Sequence, residues 1–210
     1  MSITLTNLIV LITCVVSFLL MQNQKGKSLL IFHPVTIREQ GQWYRFISSG
    51  LIHADFVHLA INMFVLWSFG TAIENFFYPS YLNINSALAF IGLYVGGIVV
   101  ASIPSYIRYN KVNNYAALGA SGGVSAVVFA VILFEPWDNL YLYGVIAIPQ
   151  IIAGALYLYY SWYMDKKASD NIGHMAHFTG ALWGIVFTCI LNPSLLPRFI
   201  EKTLQGPSWF

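Results

Sequence analysis

The chain has 210 residues, of which 58% are hydrophobic, 16% aromatic and only 9% charged. A soluble domain carries charge on about a quarter of its residues, so this composition excludes an ordinary soluble protein, and the apolar content excludes a disordered chain. The net charge of +2 is too small to indicate a nucleic-acid partner, and Cys14 and Cys189, each in an apolar run, do not make a disulfide scaffold. We therefore expect one all-α membrane domain over residues 1–210.

A membrane helix needs roughly 20 mostly apolar residues to cross about 30 Å of hydrocarbon. Six apolar runs of this order lie between charge and turn clusters, at residues 3–21, 51–77, 84–107, 119–134, 140–163 and 174–191. No basic residue precedes the first run and no small-residue cleavage site follows it, so we interpret it as a retained anchor rather than a signal peptide. The sequence thus predicts a bundle of six transmembrane helices.

A long segment, residues 22–50, joins the first two spans. It contains Arg38, Arg45 and the pair Trp43-Tyr44 among apolar residues. The segment is too polar to cross the bilayer, but aromatic rings and basic side chains suit the headgroup layer. We therefore expect a long interfacial loop between helices 1 and 2.

Polar side chains gather at the N-terminal ends of three spans. A polar group inside the bilayer costs several kcal/mol unless it has a partner, so such positions indicate function. The members are His53, Asp55, His58 and Asn62 in span two, Ser121 and Ser125 in span four, and His174 and His177 in span six. Even-numbered spans cross in the same direction, so the three clusters converge at one depth. Glu74, sixteen residues beyond His58 and roughly 24 Å further along the helix, belongs to the opposite side.

The fourth span indicates how deep its serine lies. From Ser121 to Phe134 a helix rises only about 20 Å, so if residues 135–138 mark one interface, Ser121 lies roughly 10 Å below the other. The preceding loop, with Asn113 and Gly119, must then dip into the membrane zone. This is tolerable only beside a water-filled cavity or under a cover of protein. We expect a buried, hydrated polar pocket.

The run Gly-Ala-Ser-Gly-Gly at residues 119–123 places a hydroxyl at a helix start between residues without bulk. Free backbone N–H groups and the helix dipole favour negative charge there, as an acyl-transfer nucleophile requires. A histidine of span six would take the proton of Ser121, and His58 with Asn62 would donate hydrogen bonds to the oxyanion. No acid with a convincing position completes a triad among Asp55, Asp165 and Asp170. We predict a Ser/His dyad.

Three motifs together resemble those of the rhomboid intramembrane serine proteases. They are the GxSG pattern at residues 119–122, the HxxxN pattern from His58 to Asn62, and His177 followed by Gly180 and Gly184. All three occur in the family's order and on the matching spans. Tyr44-Arg45 is similar to the family's Trp-Arg pair, with Trp43 shifted by one, and Gly70 with Glu74 is similar to its GxxxE. The resemblance covers residues 43–184.

The resemblance implies a role for each matching residue. Ser121 would be the nucleophile and His177 the general base and acid, while His58, Asn62 and the Ser121 backbone N–H would form the oxyanion hole. Span five, with Pro149 in mid-helix, would be the mobile neighbour past which a substrate helix enters. Single-pass transmembrane proteins would be the substrates and the lipid bilayer the environment, without a cofactor. We expect a multi-pass protein of the bacterial cell (inner) membrane.

Two features bear on the family pattern. Ser125, one turn after Ser121, occupies a position where some members place an aromatic ring against the catalytic histidine. The orientation of His177 must therefore be fixed in another way. We also expect neither a seventh span nor an extra domain after span six.

Each motif also has a structural interpretation. Small residues mediate most contacts between membrane helices, so the 119–123 run by itself favours close packing. For Gly180 and Gly184 packing remains our interpretation, because it brings span six close enough to span four for His177 to reach Ser121.

The other histidines and the aromatic residues have less specific interpretations. His53 would donate a structural hydrogen bond near the cavity mouth, and His174 is an alternative base because it shares a helix face with His177. A four-histidine metal site is disfavoured because no cysteine and no HExxH spacing supports it. We interpret as interfacial or packing aromatics Trp67, Trp137, Trp162, Tyr157, Tyr159 and Tyr160.

Two other functions stay open at this stage. One is a catalytically silent rhomboid-like protein that binds and retains membrane clients, and the other is a small transporter that uses its histidines as a proton relay. Covalent labelling of Ser121 by a fluorophosphonate separates both from a protease.

The charge pattern and the resemblance disagree about orientation. The side with both termini has two basic residues and the other side eight, namely Arg198 and Lys202 against Lys25, Lys27, Arg38, Arg45, Arg108, Lys111, Lys166 and Lys167. The positive-inside rule would therefore turn the polar pocket toward the cytoplasm. The resemblance implies that the N-terminus is inside and the pocket opens outward, and we adopt this arrangement.

Overall fold

The structure is a computed structural model that describes residues 4–142, 145–167 and 173–207. Its helices, in chain order, are α1 (Leu5–Leu20), α2 (Gln24–Leu30), α3 (Pro34–Gln40), α4 (Arg45–Ser48), α5 (Phe56–Ala72), α6 (Tyr78–Tyr81), α7 (Ser86–Tyr109), α8 (Ser121–Phe134), α9 (Gln150–Lys167), α10 (His174–Leu191) and α11 (Leu195–Gln205). A π-helical turn, Ile73–Phe77, makes α5 and α6 continuous. Strands β1 (Asn139–Leu142) and β2 (Ile146–Pro149) form an antiparallel hairpin.

Three helices in the described chain are long and apolar enough to cross a membrane: Phe56–Tyr81, Ser86–Tyr109 and His174–Leu191. The apolar helices α1 and α8 are shorter, and α9 corresponds to the predicted fifth span. The prediction of an all-α membrane bundle is confirmed.

The distribution of polarity on α1 is the reverse of that in a soluble protein. Thr6, Thr13 and Ser17 are buried, whereas Phe18 and Leu19 are 71% and 69% exposed. Large apolar side chains that face outward find a favourable environment only in lipid, and polar ones find partners only inside the bundle. The pattern therefore fits a helix that lies against hydrocarbon.

Helix α8 is the centre of the bundle. Every residue from Gly122 to Phe134 except Val128 is buried. Neighbouring helices approach α8 closely because glycines face it: a Cβ added at Gly180 would overlap the carbonyl oxygen of Gly122. The small-residue pattern of span six therefore lets α10 contact the α8 backbone directly.

The prediction for span five is wrong at its start. Residues 140–142 and 146–149 lie in strands β1 and β2 rather than in a helix, and α9 begins only at Gln150. Pro149 is thus the last residue of β2 and not a mid-helix proline. A short apolar run does not by itself distinguish a strand from a helix, and proline, which lacks an N–H, is tolerated just before a helix start. The backbone N–H of Gln150 donates to the Asp138 carbonyl at 2.8 Å, which fixes the start of α9 beside the end of α8.

The predicted interfacial loop folds as the three short helices α2, α3 and α4. Buried Arg45 joins α4 to the end of α2, since its guanidinium donates to the backbone carbonyls of Ser28 and Ile31, and it also donates to the side chain of Gln42. The Tyr44-Arg45 pair thus has a structural role in this segment.

Candidate active site

The side chains of Ser121 and His177 meet between α8 and α10. The distance from His177 Nε2 to Ser121 Oγ is 2.9 Å, which is within hydrogen-bond reach. Ser121 is the first residue of α8, and His177 lies in the first turn of α10. The two predicted catalytic residues, 56 positions apart in sequence, are therefore in contact.

The backbone before Ser121 requires glycine. Gly119 has φ +116°, and a Cβ there would come within 2.8 Å of the His58 ring. The Gly119 N–H donates to the Ser49 carbonyl at 2.9 Å. The loop is therefore held from one side by the interfacial segment, while the His58 ring packs against its glycine.

His53 is fully buried and contacts the same loop through a hydrogen bond. The Ala120 N–H donates to His53 Nε2 at 3.3 Å, so the second ring nitrogen, Nδ1, carries the hydrogen of the neutral ring. Nδ1 then donates to Ser17 Oγ at 2.9 Å, and the Ser17 hydroxyl donates to the Leu51 carbonyl. His53 has the structural role predicted for it, although toward the loop it accepts a hydrogen bond instead of donating one.

His58 and Asn62, the predicted oxyanion-hole pair, lie on α5 and line the same cavity as Ser121. The Asn62 Nδ2 group donates to the His58 carbonyl at 2.9 Å, one turn back on the helix. An amide nitrogen has two hydrogens, so this bond leaves Asn62 a second donor. At the start of α5 the Asp55 carboxylate accepts from the His58 N–H at 2.8 Å and caps the helix.

A cavity of about 1560 Å³ contains the site. Its lining combines polar and apolar side chains, among them Asn62, Ser102, Arg108, Asn114, Phe129 and Ile132. Residues 114–119 of the loop before α8 border the cavity. An isolated antiparallel β-bridge between Ala117 and Phe32 joins this loop to the segment between α2 and α3. A cavity with polar residues in its lining is thus present, and the loop before α8 borders it.

Two of the three aspartates considered for a triad have other partners. Asp55 caps α5, and Asp165 forms an ion pair with Arg108 at 3.8 Å. Asp170 lies outside the described residues. In the described ranges no group of three or more His, Cys, Asp or Glu side chains is arranged to hold a metal ion.

Tyr115 is a polar group of the cavity wall outside the spans. Burial, the largest effect, raises the pKa of its phenol, so the hydroxyl stays neutral at physiological pH. It donates to Ser105 Oγ at 3.0 Å. This bond ties the loop before α8 to α7.

Tyr157 is a site residue that the sequence interpretation missed. Its ring stacks on the His177 imidazole with 5.8 Å between the ring centroids, and its hydroxyl is 2.8 Å from Ser125 Oγ. The sequence did contain a signal for this contact. Position 125 is a serine where some family members have an aromatic ring, so His177 needed an aromatic neighbour from elsewhere in the chain. The spacing of Gly154, Tyr157 and Ser161, which share one face of α9, was a second signal.

His174 lies beside His177 rather than beside the nucleophile. Its ring is nearly perpendicular to that of His177 at a centroid distance of 6.0 Å, and Tyr160 packs against its edge. The contact with Ser121 Oγ is made by His177.

The chain is similar in sequence to several known proteins. A profile of the Rhomboid domain matches residues 40–194. The chain is 27% identical over 158 residues to RHOMBOID-like protein 12, mitochondrial, of Arabidopsis thaliana, covering 68% of this chain and 45% of that one. It is 31% identical over 143 residues to the presenilin-associated rhomboid-like protein, mitochondrial, of Rattus norvegicus, covering 65% and 35%. It is 24% identical over 167 residues to the rhomboid protease GluP of Bacillus subtilis (strain 168), covering 80% and 30%.

The chain therefore spans less than half the length of these three relatives. The Rhomboid domain match, in contrast, takes in α5 to α10, the helices that hold the serine, the asparagine and the three histidines of the cavity, His58, His174 and His177. The chain belongs to the rhomboid family.

Proposed function

We propose that the protein is an intramembrane serine endopeptidase that cleaves transmembrane substrate helices through a Ser/His dyad and an acyl-enzyme. The observation that supports this most strongly is the 2.9 Å contact between Ser121 Oγ and His177 Nε2 at the wall of a large, partly polar cavity. Hydrolysis needs a nucleophile, a base and water at one place, and the cavity offers room for the water beside the other two.

In the first step Ser121 Oγ attacks the carbonyl carbon of the scissile peptide bond. His177 Nε2 accepts the hydroxyl proton, so that the imidazole becomes an imidazolium while the tetrahedral intermediate forms. The imidazolium then gives this proton to the leaving amine, and the C–N bond breaks. Ser121 remains as an ester of the N-terminal fragment.

The negative oxygen of the tetrahedral intermediate needs hydrogen-bond donors. Ser121 opens α8, so its N–H has no acceptor within the helix and lies at the positive end of the dipole. The second Nδ2 hydrogen of Asn62 and the His58 ring line the same cavity. We assign the oxyanion hole to Asn62, His58 and the Ser121 N–H.

Deacylation repeats the chemistry with water as the nucleophile. His177 takes a proton from water, the hydroxide attacks the ester carbonyl, and the proton returns to Ser121 as the ester bond breaks. The carboxylic acid product then leaves and loses its proton to solvent, and the neutral dyad is restored.

The substrate must present an extended carbonyl to Ser121, because a helical carbonyl is occupied by its own hydrogen bond. Helix-weakening and small residues at the cleaved bond therefore favour cleavage. Helices α5 and α9 both line the cavity, α5 through Ile61 and Val65 among others and α9 through Leu156. We assign the lateral entry of single-pass substrates to this boundary.

The bundle identifies the chain as a multi-pass membrane protein. The membrane of a bacterial cell remains our proposal from the sequence, and the relatives named above are mitochondrial or bacterial by name and organism. The lipid bilayer is the proposed environment for both enzyme and substrate.

Fluorophosphonate labelling tests the nucleophile directly. The wild-type protein should be labelled, Ser121→Ala should not, and His177→Ala should be labelled at least about 100-fold more slowly, the usual contribution of a general base. Folded wild-type protein that stays unlabelled would refute the proposal and favour a client-binding or transport protein.

Cleavage of a transmembrane reporter tests the reaction itself. The detergent-solubilised wild-type protein should cut the reporter within or beside its apolar segment, with the site mapped by mass spectrometry. Ser121→Ala prepared in parallel is the control for contaminating proteases. Equal cleavage by the two proteins would overturn the assignment.

A further inference from the structure

We propose that Tyr157 of α9 is the positioning residue for His177, which it holds in line with Ser121 and supports as a cation during acyl transfer. This inference rests on the proposed protease function. It identifies the contact that takes the place of an aromatic ring at position 125, which is occupied by serine.

The His177 ring lies between two other rings. Tyr157 stacks on it at 5.8 Å between centroids with only 21° between the ring planes, and His174 meets it at 6.0 Å and 80°. Offset-stacked and edge-to-face pairs at such distances are favourable. These contacts restrict rotation of the imidazole, while its Nε2 atom lies 2.9 Å from Ser121 Oγ.

Tyr157 is itself held firmly by α8. Its hydroxyl is 2.8 Å from the hydroxyl of Ser125, a residue that is only 4% exposed. The Phe129 ring, four positions further along α8, lies 6.1 Å from the Tyr157 ring at an angle of 37°. Ser125 and Phe129 therefore fix the tip and the ring of the tyrosine, and Ser125 takes part in orienting the histidine through this hydrogen bond.

The docking of α9 determines whether this stack exists. Gly154 and Ser161 are the buried residues of α9, and they share one helix face with Tyr157. A Cβ at Gly154 would come within 2.8 Å of Ile132 on α8, so the glycine allows the close approach. A movement of α9 away from α8 would remove the ring from His177, which links the substrate-entry boundary to the alignment of the base.

The chemistry gives the ring a second effect. When the proton of Ser121 moves to His177 Nε2, the imidazole becomes a cation, and the face of an adjacent aromatic ring attracts a cation. Tyr157 donates and accepts no proton in this step. Its effect is expected on the rate of the chemical step and not on substrate affinity.

The sharpest test compares Tyr157→Phe with Tyr157→Leu in the full chain. Both substitutions remove the hydroxyl, but only phenylalanine keeps the ring. Tyr157→Leu should lower kcat for the transmembrane reporter about 10- to 100-fold with KM within about twofold, whereas Tyr157→Phe should retain at least about one third of wild-type kcat. Tyr159→Leu, which changes an exposed tyrosine of the same helix, is the matched control and should leave kcat unchanged.

Fluorophosphonate labelling separates this inference from the proposed function, because the probe is small and needs no substrate helix. Labelling of the Tyr157→Leu protein should be slower than that of the wild type by the same factor as kcat. Labelling of the Ser125→Ala protein should be slower by no more than about threefold, since only one neutral hydrogen bond is lost. Wild-type protein that is never labelled at Ser121 would refute the protease function itself.

Three outcomes would refute only the role of Tyr157. In the first, the wild type is labelled and Tyr157→Leu is within about twofold of it in kcat and labelling rate. In the second, Tyr157→Phe is as slow as Tyr157→Leu. In the third, KM is raised and kcat is unchanged, which would assign Tyr157 to substrate contact.

If Tyr157→Leu does not fold, as judged by thermal unfolding in detergent, a double variant provides the test. Ser125→Tyr/Tyr157→Ser removes the ring from α9 and places one on α8 at position 125. Recovery of labelling to at least about one third of the wild-type rate would then support the inference, and absence of recovery in a folded double variant would refute it.

Discussion

The carbonyl oxygen of Gly122 occupies the space that a side chain on Gly180 would need, so α10 and α8 meet backbone to backbone. The contact lies within one turn of both Ser121 and His177. Because Gly180 has no side chain, α10 can approach α8 closely enough for His177 to reach Ser121.

The first prediction is that Gly180→Ala separates the two helices. The added methyl group overlaps the Gly122 carbonyl, which should cost about 1–3 kcal/mol of unfolding free energy. The displacement should also slow fluorophosphonate labelling of Ser121 at least about tenfold. Leu182→Ala, at an outward-facing position of α10 that is 42% exposed, is the control and should change neither quantity appreciably. A Gly180→Ala protein with normal labelling would show that the helices tolerate the methyl group.

The second prediction concerns His53, which joins α1 to the loop before Ser121. His53→Ala leaves the Ala120 N–H without a partner and removes one of the two hydrogen bonds of the Ser17 hydroxyl, and an unpaired buried group costs about 1–3 kcal/mol. Thermal unfolding in detergent should show the loss, and labelling of the remaining folded protein should be slower because the loop loses its support. Ser17→Ala removes the hydrogen bonds of Ser17 to His53 and to the Leu51 carbonyl but keeps the bond between His53 and Ala120, so it should slow labelling less. Equal effects of the two variants would contradict the role assigned to Ala120.

The third prediction separates stability from chemistry. The Glu74 carboxylate accepts hydrogen bonds from the backbone N–H groups of Leu5 and Thr6 and from the Thr6 hydroxyl, at 2.7 to 2.8 Å. It therefore caps the N-terminus of α1, and Glu74→Ala should lower the unfolding free energy by about 1–2 kcal/mol. The labelling rate per folded molecule should stay within about twofold, because Glu74 lies sixteen residues beyond His58, roughly 24 Å along the helix. Glu39→Ala, which breaks an exposed pair with Arg38, should have almost no effect on stability.

The fourth prediction is a loss of activity in acid. A histidine that accepts a proton from serine must be neutral beforehand, and an unperturbed imidazole takes up its proton near pH 6.5. Labelling and reporter cleavage should therefore fall as the pH is lowered. Circular dichroism at each pH controls for unfolding. A flat rate profile down to about pH 4 would argue against His177 as the base.

The fifth prediction concerns orientation, for which the basic residues and the family arrangement disagree. With the N-terminus inside and six spans, a reporter fused after Phe210 should lie in the cytoplasm. An alkaline phosphatase fusion should then be inactive, and a green fluorescent protein fusion should fluoresce. The opposite pair of results would turn the cavity toward the cytoplasm, as the positive-inside rule indicates.

Much of the bundle was predictable because membrane helices are long, apolar and locally determined. The bounds of α10, His174–Leu191, coincide with those predicted, and the predicted end of span four, Phe134, is the end of α8. The polar positions were equally informative, since a serine or histidine inside hydrocarbon requires a partner, and helix direction placed Ser121 and His177 at the same depth.

Other features depended on contacts that no local pattern contains. The hairpin before α9 was assigned to a helix because ten residues of mixed apolar character do not distinguish the two structures. Tyr157 was interpreted as a packing aromatic, and Ser17 had no assigned role, because their partners lie 20 and 36 residues away in sequence. Hydrophobicity and residue spacing thus indicated most of the apolar helices of the bundle and the polar residues that they carry. Only the close packing of α8, α9 and α10 decided which side chains touch, because such contacts depend on the space left by small residues on neighbouring helices.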